Sequence, residues 1–108
     1  MSIIKQTKDY LLKFLWDGSS VPSGLLELYK YFKNNGPIEF KYEETDNKII
    51  AVSTNYRYGS IVTSGRNKEE LERNIKDAIL TSFDVPSSYE KEVGIHKVGE
   101  KQEAYAIA

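Results

Sequence analysis

The chain has 108 residues, no cysteine, one histidine and a formal net charge of -1, the size and balance of one soluble-type domain. The lack of cysteine excludes disulfides, thiolate catalysis and cysteine-ligated zinc or iron–sulfur sites, and it fits a reducing compartment, so the cytoplasm is the expected location. A single histidine argues against a multi-histidine metal centre, the near-neutral charge offers no general field for nucleic acid, and no uncharged run approaches the ~20 residues of a membrane span.

Helical patterns come first. Ile4, Leu11, Phe14 and Leu15 recur at helical spacing, and Leu11-Leu12-Lys13-Phe14-Leu15-Trp16 makes a stripe wider than one contact face needs, ended by Asp17-Gly18. After a loop through Pro22, a second helix places Leu25, Leu28, Tyr29 and Phe32 on one face, and Asn34-Asn35-Gly36-Pro37 stops it. From Ile38 the period changes to two. Ile38, Phe40 and Tyr42 alternate with Glu39, Lys41 and Glu43, the pattern of a strand with one wet face. Glu44-Thr45-Asp46-Asn47 reads as a hairpin turn, and Lys48 to Thr54 as a second strand with an apolar run at Ile49, Ile50, Ala51 and Val52.

Asn55-Tyr56-Arg57-Tyr58-Gly59 is a loop before a short third strand through Ile61 and Val62, which Ser64-Gly65-Arg66 breaks. Asn67, with Glu70 three residues later, is a capping-box-like start for a helix that carries Leu71, Ile75, Ala78 and Ile79 and ends between Ser82 and Pro86. Val93, Ile95 and Lys97 alternate with His96 and Val98 as a fourth strand, followed by a polar break and an Ala-Tyr-Ala-Ile-Ala tail. The expected fold is α+β: a small, mostly antiparallel sheet of three to four strands in the order β-β-β-α-β, one main helix packed on it, and two helices in front. Residues 1–36 form the helical extension and residues 37–108 the α/β part, together one compact unit.

The run Gly59-Ser60-Ile61-Val62-Thr63-Ser64-Gly65-Arg66-Asn67-Lys68-Glu69-Glu70-Leu71 resembles the HicB-like antitoxin family, in which a turn glycine leads into a short strand, a second glycine and a capped, acidic helix start. Gly59 and Gly65 stand at the two glycines, Asn67 at the cap, Glu69-Glu70 in the acidic first turn, and Asn74, Ala78 and Ile79 in the helix segment that follows. The similarity spans about residues 38–98. It implies a partial ribonuclease-H-like sheet without catalytic residues, assembly into dimers or larger oligomers, and a role in masking a small toxin ribonuclease. The chain departs from the family pattern in the bulkier loop Thr54-Asn55-Tyr56-Arg57-Tyr58, which replaces a proline-containing one, and the family's C-terminal operator-binding segment has no counterpart before Ala108.

Among chemical candidates, Glu43, Glu44 and Asp46 cluster on one hairpin tip, whereas a two-metal site needs carboxylates converging from separate elements. Ser60 and Ser64 with His96 lack a nucleophile elbow. Gly65-Arg66-Asn67-Lys68 has two cations at a helix start but not the glycine spacing of a phosphate loop. A non-enzymatic role, with no cofactor and no metal, is the expectation. Tyr56, Arg57 and Tyr58 set two aromatics around an arginine, a composition enriched at protein interfaces, and are the expected partner-binding residues. Phe14, Leu15 and Trp16 are the expected oligomer interface. An alternative reading makes the chain a nucleic-acid-binding regulator through Lys30 and Lys33, in a front segment whose residues 1–35 hold five lysines against three acids.

Overall fold

The structure, a computed structural model, describes residues 23–99 and 103–107. Helix α1 (Ser23–Asn35) leads into strands β1 (Ile38–Glu44), β2 (Ile49–Ser53) and β3 (Val62–Gly65). Then come helix α2 (Lys68–Ser82), a 3-10 turn (Ser87–Tyr89), the short helix α3 (Glu90–Val93), β4 (His96–Val98) and β5 (Ala104–Ala106). All strand pairs are antiparallel, in the order β3-β2-β1-β5-β4. None of the described helices is long and apolar enough to cross a membrane.

The α+β class is as expected, and the strand count is not: the sheet has five strands rather than three or four. The segment read as a tail is β5, which sits between β1 and β4, pairing Ile38 with Tyr105 and Lys97 with Tyr105. Val93 closes α3 instead of starting a strand, because the left-handed Gly94 ends a helical turn there. The first of the two expected front helices, with Phe14, Leu15 and Trp16, lies outside the described residues. The second is α1, with one adjustment. Its more buried tyrosine is Tyr31, not Tyr29. Its stop works as its composition suggests, with the Gly36 N–H donating to the Phe32 carbonyl at 3.0 Å and the Asn35 amide donating to the Tyr31 carbonyl at 3.0 Å.

Register divides the sheet into two faces. Ile38 and Phe40 of β1, Ala51 and Ser53 of β2, and Tyr105 of β5 point inward and are buried. Leu71, Ile75, Ile79 and Leu80 of α2 close over them, and Leu25, Leu28 and Phe32 of α1 join the same core. Glu39, Lys41 and Glu43 alternate to the opposite, wet face.

Helix α2 starts where its cap predicts. Asn67 accepts from the Glu70 N–H at 2.9 Å, and Glu70 returns its carboxylate to the Arg66 N–H at 3.1 Å, one residue earlier than an ordinary capping box. Ser64 and Gly65 do not break the third strand but complete it. The glycine is required by proximity: a Cβ on Gly65 would overlap the backbone of Leu71, so only glycine lets the first turn of α2 lie against the strand it has just left. Substituting Gly65→Ala is therefore expected to cost about 1–3 kcal/mol, and Asn67→Ala about 1 kcal/mol. Urea denaturation of the two variants measures both losses, and an unchanged midpoint for Gly65→Ala would contradict the close approach.

Candidate functional site

The loop between β2 and β3 is held from three directions. Asn55 clamps it to the start of β1: its carbonyl oxygen accepts from the Glu39 N–H at 2.8 Å, and its amide donates to the Pro37 carbonyl at 3.0 Å. From α1, the buried Tyr31 hydroxyl accepts from the Arg57 N–H at 3.0 Å and donates to the Asn55 carbonyl at 3.4 Å. From α2, the Ser82 hydroxyl accepts from Tyr56 Oη at 3.3 Å and donates onward to the Ile79 carbonyl at 2.7 Å. Burial pushes the Tyr56 phenol above its ordinary pKa, against the smaller opposing effect of Ser82.

These ties build an aromatic shelf. The Tyr31 ring centroid lies 5.2 Å from Tyr56, 5.3 Å from Tyr58 and 5.6 Å from Phe83, in tilted and edge-to-face arrangements. The three expected partner-binding residues consequently separate in role. Tyr56 is half-buried and belongs to the shelf's foundation. Arg57 is exposed and makes no ion pair among the described residues. Tyr58 rests on the shelf with 65% of its surface open to solvent. Gly59, at φ +135, turns the chain out of this loop in a conformation that L side chains rarely adopt.

The other candidates stay apart. Glu43, Glu44 and Asp46 are exposed around the hairpin closed by Thr45 and Lys48, and among the described residues no group of three or more His, Asp or Glu is placed to hold a metal. Ser64 and His96 sit on the two outermost strands, separated by four strand spacings or about 19 Å, so they form no nucleophile–base pair. His96 Nδ1 instead meets the Gly94 carbonyl at 2.9 Å. The Gly65-Arg66-Asn67-Lys68 turn is filled from within, since the Glu70 carboxylate takes the Arg66 guanidinium at 3.0 Å and the Arg66 N–H at 3.1 Å, while Asn67 Oδ1 takes the Glu70 N–H at 2.9 Å. Arg66 holds the Glu70 carboxyl below its ordinary pKa. Lys30 and Lys33 are both exposed on α1.

One feature escapes the sequence. At the far end of the inner face, an open cavity of about 460 Å³ is lined by Tyr42, Glu44, Ile49, Lys68, Leu71, Glu72, Lys97, Glu103 and Tyr105. Tyr42 and Tyr105 lie together in this lining, and burial raises the pKa of both phenols. Lys97 donates to Glu72 at 2.7 Å and holds that carboxyl below its ordinary pKa. The available signal was the alternation Ala104-Tyr105-Ala106, which turns the tyrosine inward beside Lys97 once the segment is taken as a strand.

The chain matches no protein-family model, no curated protein and no solved structure.

The Glu72–Lys97 pair yields a pH prediction. Glu72 has a lowered pKa when folded, so its contribution is complete above the ordinary glutamate value of about 4.3 and is lost as pH falls below it. With both side chains about one-third exposed, solvent screening limits the pair to about 1 kcal/mol or less. Lys97→Gln is expected to melt below the parent at pH 7 and to converge with it toward pH 3; a gap that persists undiminished in acid would remove the ion pair as its source.

Proposed function

We propose that the chain is a non-enzymatic, oligomeric protein-binding module of the kind its resemblance to the HicB-like antitoxins implies, with the loop Tyr56-Arg57-Tyr58 meeting the partner and a small toxin ribonuclease as that partner. The observation that carries this reading is the shelf itself. An arginine and a tyrosine are presented to solvent on a loop held by hydrogen bonds through Tyr31, Asn55 and, at the Tyr56 side chain, Ser82, so little ordering entropy would be lost when a partner covers them. Tyrosine and arginine are the residue types that most often dominate binding energy at protein interfaces. The β1-β2-β3-α2 succession over residues 38–82 supports the same reading, with Gly59, Gly65, Asn67 and Glu70 at the turn, the close approach and the cap.

The test follows from the division of labour in the loop. The paired substitution Arg57→Ala with Tyr58→Ala removes the two exposed groups and spares the foundation, so it is expected to abolish retention of the partner by immobilised chain while shifting the melting temperature little. Tyr56→Ala is expected to lower the melting temperature by several degrees, because it removes packed surface and the Ser82 bond together. Full retention by the paired variant would exclude the loop from binding. The nucleic-acid alternative through Lys30 and Lys33 predicts a gel shift that collapses with added salt, and no shift at low salt ends it.

A further inference from the structure

Among the described residues, the sheet order leaves one side of β3 without a hydrogen-bonded neighbour. Peptide groups in an antiparallel strand alternate between the two sides. The Ser53 N–H donates to the Ile61 carbonyl at 2.9 Å and the Ile61 N–H to Ser53 Oγ at 2.8 Å, so Ile61 and Thr63 face β2 while Val62 and Ser64 turn their peptide groups outward. Asn74 of α2 donates its amide to the Ser64 carbonyl at 2.7 Å. Among the described residues, both backbone groups of Val62 and the Ser64 N–H are left open.

Edge strands are normally guarded by a lysine, a proline or a bulge. This one has none: Gly59 to Gly65 contains neither a charge nor a proline, and the Val62 side chain is 60% exposed. We propose that this edge pairs with the same edge of a second copy of the chain, antiparallel about a two-fold axis through Val62, so that one sheet runs through both molecules.

The edge fits a copy of itself. An axis at Val62 sets its free N–H and carbonyl against the carbonyl and N–H of the other Val62. Two β-branched side chains meet at the centre, a favourable cross-strand pair. This inference rests on the oligomeric part of the proposed function and not on the capture of a foreign protein: a chain that dimerises without capturing one removes the capture, and an oligomer that survives the folded Val62 variants removes the edge.

The sequence contains no cysteine, so Val62→Cys introduces one thiol and allows a direct test. Directly opposed hydrogen-bonded residues lie about 5.5 Å apart at Cα, within the roughly 4.4–6.8 Å that a disulfide spans. Mild oxidation is expected to link Val62→Cys chains into covalent dimers and to leave Ser87→Cys, on the exposed 3-10 turn, largely unlinked. In sedimentation, the parent chain is expected at twice its 12.4 kDa mass. Val62→Pro, which removes a donor that β2 does not use, is expected at the single mass with its circular dichroism unchanged. Should the proline disturb the fold, Val62→Lys serves instead, and the dimer dissociation constant is expected to rise about tenfold or more. A parent chain that sediments as a monomer at its highest soluble concentration, or a dimer that persists in the folded Val62 variants, overturns the proposal.

Discussion

A phenol taken out of water must keep its hydrogen bonds, and the Tyr31 hydroxyl does so between two peptide groups of a loop that is distant in sequence. The residue is 2% exposed, and its ring touches Phe32, Tyr56, Tyr58 and Phe83. One side chain therefore joins α1, the β2–β3 loop and the end of α2. Each hydrogen bond is worth only about 1 kcal/mol net, and each aromatic pair a similar amount beyond burial. Their geometric effect is larger than these figures suggest, because they turn a loop that would otherwise be floppy into a fixed platform. Asn55 extends the constraint to β1, so the platform moves with the sheet.

The sheet's second constraint is the contact between α2 and β3. Only Arg66 and Asn67 separate the end of β3 from the start of helix α2, and Gly65 lets its first turn fold back onto the strand. That approach brings Asn74 within reach of the Ser64 carbonyl, which satisfies one outward group of an edge strand from inside the same molecule. The satisfaction is partial. Helix geometry places a suitable side chain on one flank only once per turn, so a single asparagine reaches one carbonyl and the groups at Val62 stay beyond it. The same packing that shields the C-terminal end of β3 thus concentrates the open hydrogen-bonding capacity in its middle.

How far the sequence discloses this arrangement can be judged residue by residue. The alternation Ile38-Phe40-Tyr42, the hairpin at residues 44–48 and the Asn67 cap are local signals, and local signals were sufficient for them. Tyr29 and Tyr31 show where local signals stop. Helical period favours Tyr29 beside Leu25 and Phe32, but the loop at 55–58 approaches from the Tyr31 side and buries it instead. Gly65 suggests a break because glycine interrupts strands on average, whereas here it accommodates a neighbouring backbone. β5 was missed since alanines carry weak strand preference, and Tyr105 shows its inward direction only when β1 and β4 are alongside. The cavity with Tyr42, Glu72, Lys97 and Tyr105 is hidden for the same reason, drawing its lining from five separate elements.

Loop and edge are consecutive along the chain, and this has a geometric consequence. Tyr58 is followed by Gly59 and Ser60 and then by the strand whose middle holds the open peptide groups. Any partner strand added at Val62 is therefore delivered beside Tyr58, and any body resting on Tyr58 sits within a few residues of the edge. With the loop held by Tyr31 and Asn55, only the turn at Gly59 and Ser60 separates the shelf from the edge. Two molecules joined along β3 would hold their Arg57–Tyr58 shelves at a fixed separation on either side of the axis. A bivalent partner would then gain effective concentration from that rigidity without a single additional contact.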